Sequence, residues 1–214
     1  MATYKQGVNG MFSGKAGSVI GSNWRSIGYL RGLARFKSKS NSPKQAAQRA
    51  RFGMAVSFLR PMKTILNIGF NDKGNNRSTG YNQAMRSFMA NAVAGEYPDF
   101  AIDFSKIEIS KGALEKLIGM QAVSSTANTF NFSWVDTSAV SEMGYVDDQV
   151  FILLYNQTED TFTTFRNALR QEQEVTLELP AVFSGNTFHI YAFALDRDGK
   201  EASNSQYLGQ LELT

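Results

Sequence analysis

Phe130-Asn131-Phe132-Ser133-Trp134 places a large apolar side chain at every second position and a polar one between. Successive side chains of a β-strand point to opposite faces, so this stretch predicts a strand with one buried face. The same period begins near Phe104, where Ile107 and Ile109 alternate with Lys106 and Glu108. Val150–Tyr155 is a continuous apolar run, the mark of a central strand. Thr161–Phe165, Glu174–Leu179, Thr187–Leu195 and Gln206–Leu213 bring the strands to about seven. Turn signals separate them, among them Ser184-Gly185-Asn186 and Asp196-Arg197-Asp198-Gly199. Short alternating strands at this spacing predict an antiparallel β-sandwich over residues 101–214.

Upstream of residue 100 the pattern differs. Residues 1–35 carry Gly7, Gly10, Gly14, Gly17, Gly21, Gly28 and Gly32 between short strand-like pieces. We read a twisted hairpin here, Gly17–Asn23 pairing with Ile27–Arg31 and turning near Arg25-Ser26. Residues 36–42 form a polar, basic link. Ser42 then reads as an N-cap with Pro43 at the first helical position. Phe52, Ala55, Val56 and Leu59 form an apolar stripe to about Arg60, while Ala46, Ala50, Gly53 and Ser57 make a small-residue face on the other side. Pro61 breaks that helix or starts a second over Met62–Ile68. Asn71–Ser78 reads as an exposed loop. Thr79 caps a helix predicted over Gly80–Ala94, with Gly95 as its stop and Pro98 beyond. The fold class is therefore α+β: an N-terminal hairpin plus helices over residues 1–100, then the sandwich.

The 214 residues hold enough apolar and aromatic side chains for a real core, and no run approaches a membrane span. Met1–Lys15 has no apolar segment followed by a small-residue cleavage site, so the expected location is cytoplasmic. The net charge of +3 conceals a division. Residues 1–71 contain twelve Lys or Arg and no acid, a charge of +12; the remainder carries ten cations and all nineteen acids, a charge of −9. A split of this kind suggests that the front section meets something anionic: a phosphate backbone, an acidic protein face or the chain's own acidic remainder.

Catalytic signatures are weak. There is no cysteine and a single histidine, His189. His189 lies between Phe188 and Ile190 on a predicted strand, so it points away from the sandwich core and is expected at the surface. No G-x-S-x-G elbow supports a serine triad. Gly10-Met11-Phe12-Ser13-Gly14-Lys15-Ala16 is one residue short of a phosphate loop and lacks the hydroxyl after lysine that holds Mg²⁺. Asp147-Asp148 and Asp196-Arg197-Asp198-Gly199 lack EF-hand spacing, and a hairpin turn explains Asp-Gly. No paired carboxylates mark a glycosidase cleft. The reading is of a protein that is not an enzyme, with no cofactor, no metal and no small-molecule substrate.

The last hundred residues resemble a fibronectin type III-like (immunoglobulin-like) sandwich, with Trp134 in the position of its core tryptophan. Phe188 stands where a tyrosine is usual, so a tyrosine-corner hydrogen bond is not expected. The whole chain resembles a domain family of uncharacterised function from Bacteroidota, whose N-terminal patterns recur in phage and prophage proteins. Gly14-Lys15-Ala16-Gly17-Ser18-Val19-Ile20-Gly21-Ser22-Asn23-Trp24-Arg25, Asn41-Ser42-Pro43-Lys44-Gln45, Gly80-Tyr81-Asn82 and Asp198-Gly199-Lys200-Glu201 carry that resemblance. It implies a structural or interaction role and, for a phage-derived chain, a virion location.

Three functions follow as expectations. The first is a non-catalytic structural or protein-interaction module, a homo-oligomer or the partner of another protein, touching through Ala46, Ala50, Gly53 and Ser57. The second is a nucleic-acid-binding protein of low sequence selectivity. It would use Arg25, Arg31, Arg35, Lys37 and Lys39 for phosphates, with Trp24 and Tyr29 for stacking. The third is a surface- or glycan-binding adhesin, against which the missing export signal counts.

Overall fold

The computed structural model describes residues 2–4, 10–24, 27–33, 42–71, 78–139 and 143–214. They fall into two compact units, Met1–Ser42 and Pro43–Thr214.

The first unit is a four-stranded antiparallel sheet of β1 (Ala2–Tyr4), β2 (Gly14–Ala16), β3 (Val19–Trp24) and β4 (Ile27–Gly32), in the order β1-β4-β3-β2. The predicted hairpin is β3–β4, paired from Val19↔Gly32 to Trp24↔Ile27; its turn, Arg25-Ser26, lies outside the described residues. Between β2 and β3, Gly17 takes the positive φ (+56°) that a two-residue hairpin loop needs. Gly21 and Gly28 serve a different end. A Cβ on Gly21 would stand 2.2 Å from the Phe12 ring, and one on Gly28 2.8 Å from the Tyr4 ring. Both rings sit close against bare backbone, and Tyr4 donates its hydroxyl to the Phe12 carbonyl at 2.9 Å. Among the described residues this sheet buries no apolar side chain.

The second unit begins with α1 (Pro43–Leu59) and α2 (Lys63–Gly69), separated where Pro61 interrupts the backbone ladder. α3 (Gly80–Ser87) starts as expected: the Thr79 hydroxyl accepts from Asn82 N–H at 3.2 Å. It ends earlier than its apolar stripe suggests. Phe88–Ala92 forms a π-helical turn, and Val93–Ala94 becomes β5, paired with β6 (Ala101–Ile102). The α1 stripe is also rotated from its expected position. Ala55, Phe58, Leu59 and Met62 are buried, whereas Phe52 is 52% exposed. The Phe58 ring decides this, because it packs against Phe88, Phe104, Tyr155 and Phe162 with centroids 5.1–6.0 Å away.

The sandwich comprises β7 (Ile118–Thr126), β8 (Thr129–Val135), β9 (Gln149–Asn156), β10 (Thr161–Leu169), β11 (Glu174–Glu178), β12 (Thr187–Leu195) and β13 (Gln206–Glu212). β11-β8-β7 form one sheet and β10-β9-β12-β13 the other, the three-on-four arrangement of a fibronectin type III-like sandwich. The alternation at Ile107 and Ile109 does not make a strand. Both side chains are buried, but the segment is anchored by side-chain and loop bonds, Ile109 N–H to Ser205 Oγ at 3.1 Å among them. β7 takes its place as the first strand.

Two cores flank the four-stranded sheet. Val150, Ile152, Leu154, Phe188, Ile190, Ala192 and Ala194 face Phe130, Phe132, Trp134 and Leu177 of the three-stranded sheet. The alternate positions Phe151, Leu153, Tyr155, Tyr191, Phe193 and Leu195 share a second core with Phe58, Leu59, Leu66 and Phe88 of the helical layer. β9 and β12 are thus covered on both faces, which explains the unbroken apolar run at Val150–Tyr155. The same arrangement corrects the domain border expected near residue 100. The helices and the sandwich bury their apolar residues in common, and the division between compact units falls after Ser42.

Candidate interaction surface

Antiparallel register sorts the side chains of the N-terminal sheet. Directly paired residues share a face, and the face alternates along each strand. Lys15 pairs with Ile20 and Ile20 with Arg31; Ser22 pairs with Tyr29, and Trp24 with Ile27. Lys15, Ile20, Trp24, Ile27, Tyr29 and Arg31 therefore lie on one face. Three of the residues expected to bind anions, Trp24, Tyr29 and Arg31, are brought together in this way. Lys15, Arg31, Trp24 and Ile27 are exposed, and Tyr29 is half-buried. Arg25, Arg35, Lys37 and Lys39 lie outside the described residues. Lys15 escaped sequence reasoning because its place depends on the β2–β3 register. The opposite face carries the ring-covered Gly21 and Gly28.

Gly14-Lys15-Ala16 is strand β2, hydrogen-bonded to β3, and not the turn before a helix that a phosphate loop requires. On α1, Ala50, Gly53 and Ser57 are exposed and Ala46 is half-buried, and space is open around the Gly53 Cα.

His189 is not at the surface. It does point away from the sandwich core, as its strand position demands, but the helical layer covers that side and leaves it 4% exposed. Its ring stacks on Phe104 with centroids 3.9 Å apart. Nδ1 stands 2.8 Å from the Tyr207 hydroxyl and Nε2 3.1 Å from Gln157 Oε1. A neutral ring with Nε2–H satisfies both partners: Tyr207 donates to Nδ1, and Nε2–H donates to Gln157. Among the described residues neither serine nor carboxylate hydrogen-bonds the ring, so these contacts hold structure and do not make a triad.

Burial lowers the His189 pKa below its ordinary value of 6.5. Between the two values the folded chain binds fewer protons than the unfolded one, so stability is complete above pH 6.5 and falls as pH drops toward the folded value. Thermal melts between pH 7.5 and about 5.5 should show this loss, and His189→Gln should flatten it. An equal slope in the variant would refute the assignment.

The acidic turns are internally compensated. Arg197 Nη1 is 3.1 Å from Asp147 Oδ2, Lys200 Nζ is 2.7 Å from Asp198 Oδ2, and Asp196 Oδ1 accepts from Glu201 N–H at 3.0 Å. Among the described residues no three His, Asp or Glu side chains are grouped to hold a metal.

A charged group that sequence reasoning missed lies deeper. Arg170 and Asp148 are both fully buried and paired at 3.0 Å through Arg170 Nε and Asp148 Oδ2. Arg170 Nη2 also donates to the Glu115 carbonyl at 2.8 Å and Nη1 to the Lys116 carbonyl at 3.3 Å. Trp134 Nε1–H donates to the Arg170 carbonyl at 2.7 Å. Arg170 thus ties the segment before β7, the core tryptophan and the β8–β9 loop together. Nothing in the local sequence marks it, since its partners come from distant segments.

Comparison with solved structures finds fibronectin type III domains. The fn3 domain of the human collagen alpha-1(XX) chain is 11% identical, with 48% of this chain and 87% of that domain covered and a TM-score of 0.37. The FN5 domain of Drosophila Lar is 12% identical, with 45% and 92% covered and a TM-score of 0.31. The strand order itself carries the assignment of the fold. Among the described residues no helix is long and apolar enough to cross a membrane. Comparison with curated proteins finds no match. The profile of a family of unknown function, DUF6266, aligns with residues 11–209, and the chain belongs to that family.

Proposed function

We propose that this chain is a non-catalytic protein-interaction module that self-assembles through its N-terminal sheet. One observation carries the reading: the described part of that sheet buries no apolar side chain of its own. Small sheets need a covered apolar face, and units of about 40 residues seldom supply enough core alone. Trp24 and Ile27, on one face of the sheet, remain as surface that a docking partner would remove from water. A particle built from many copies, such as a phage virion, is the setting in which such a surface serves.

The test is light scattering of the full chain across a hundredfold range of concentration. Mass should rise with concentration, and the double substitution Lys15→Glu with Arg31→Glu should suppress the rise. A monomer throughout would overturn the reading.

The clustering of Trp24, Tyr29, Arg31 and Lys15 on one face favours a second reading, a stacking and phosphate-tracking platform for single-stranded nucleic acid. Gel mobility shift at two salt concentrations separates the two. Tight, strongly salt-sensitive binding by a monomer would establish the second reading in place of the first.

A further inference from the structure

We propose that the exposed ridge Met143–Val146, with the carboxylates beside it, is the acceptor on which the N-terminal sheet of a second copy docks. This rests on reading the sheet as a self-assembly surface. Met143, Tyr145 and Val146 are 51%, 60% and 48% exposed. Three large apolar side chains within four positions are an unusual load for a loop in water.

The ridge is nonetheless held fast. Tyr145 N–H donates to Asp148 Oδ2 at 2.9 Å, and Asp148 N–H donates back to the Tyr145 carbonyl at 3.1 Å. The Met143 carbonyl accepts from Glu115 N–H at 3.0 Å, and the Val146 carbonyl from Gln171 N–H at 3.2 Å. Gly144 lets the loop sit close to the buried guanidinium, since a Cβ there would meet Glu115 Oε2 at 2.9 Å and Arg170 Cζ at 3.2 Å. A surface held in this way gives up little conformational freedom when it binds.

The chemistry beside the ridge selects the occupant. Tyr145, Asp147, Asp148, Asp196, Arg197 and Asp198 line a hollow of about 260 Å³. Asp148 Oδ1, at its wall, is buried and has no hydrogen-bond partner. Asp147 is paired with Arg197, Asp198 with Lys200 and Asp148 with the buried Arg170, so the four carboxylates, Asp196 included, and their three cations leave one net negative charge beside the ridge. The first 42 residues of the chain carry seven Lys or Arg and no acid. Their sheet joins Trp24 and Tyr29 to Lys15 and Arg31 on one face. Aromatic and cationic groups on one side match apolar and carboxylate groups on the other. Both complementary surfaces belong to the same chain, so the fitting partner is another copy. The contact is head-to-tail and closes into a ring or extends as a filament.

The absence of native cysteine makes a direct test simple. One preparation carries Lys15→Cys and another Tyr145→Cys; they are mixed and treated with a short bismaleimide. A cross-linked dimer should form in the mixture in at least tenfold excess over either preparation alone. Tyr145→Glu and, separately, Asp147→Lys should each weaken self-association at least tenfold by light scattering while leaving the thermal melt unchanged. Self-association that needs Lys15 and Arg31, ignores both loop substitutions and gives no mixed cross-link would overturn this proposal and leave the assembly reading standing. A monomeric chain would overturn both.

Discussion

Arg170→Ala is expected to lower stability by about 3–5 kcal/mol, the usual cost of stripping one partner from a buried ion pair. For a unit of this size that corresponds to a fall in Tm of roughly 6–20 °C. The cost arises because Asp148 stays behind, fully buried, without its counter-charge. Two carbonyls, of Glu115 and Lys116, lose their donors as well. The effect should depend on pH. Burial already raises the Asp148 carboxyl above 3.8, against the pull of the Tyr145 N–H and Arg170. A folded value above the unfolded one means that the folded chain holds the proton more tightly. The favourable contribution is then complete below pH 3.8 and lost as pH rises through the folded value. Removing the guanidinium moves that value further up, so the variant should lose more at pH 7 than near pH 4. Denaturant melts of both chains at the two pH values measure this. A loss below 1 kcal/mol at pH 7 would mean that the pair is not the clasp described here.

Phe58→Ala is expected to cost about 3–5 kcal/mol through the cavity left in the helix–sheet core. Its informative feature is the shape of the transition. Phe58 comes from α1, yet its ring touches Tyr155 of β9 and Phe162 of β10. If the helices and the sandwich form one cooperative unit, helical circular dichroism and near-ultraviolet signals from Trp134 should shift together. A helical transition that moves alone would restore a domain border near residue 100. The substitution also tests the rotated face of α1, because Phe52→Ala should change stability by less than about 1 kcal/mol.

Most of the second half was legible in the linear order of residues. Period-two alternation located β8, and the continuous apolar run at Val150–Tyr155 located β9. The alternation at Ile107 and Ile109 reports a buried face and so reads as a strand; whether a neighbouring strand pairs with it is a separate matter. An equally regular stripe points Phe52 toward the core, yet it is exposed. Helical periodicity identifies candidate faces, but which of them packs depends on the opposing surface, and here Phe58 found the aromatic pocket.

The amino-acid order alone determined the strand-rich sandwich, the helix stop at Pro61, the acid-free front section and the lack of catalytic signatures. These follow from local periodicity, backbone chemistry and charge, none of which needs a partner in space. Tertiary structure alone decided that His189 is buried, that Arg170 closes a clasp with Asp148, and that Lys15 joins Trp24, Tyr29 and Arg31 on one sheet face. Each of those outcomes depends on register or on a layer supplied from far along the chain, and burial belongs to the assembled layers before it belongs to any residue.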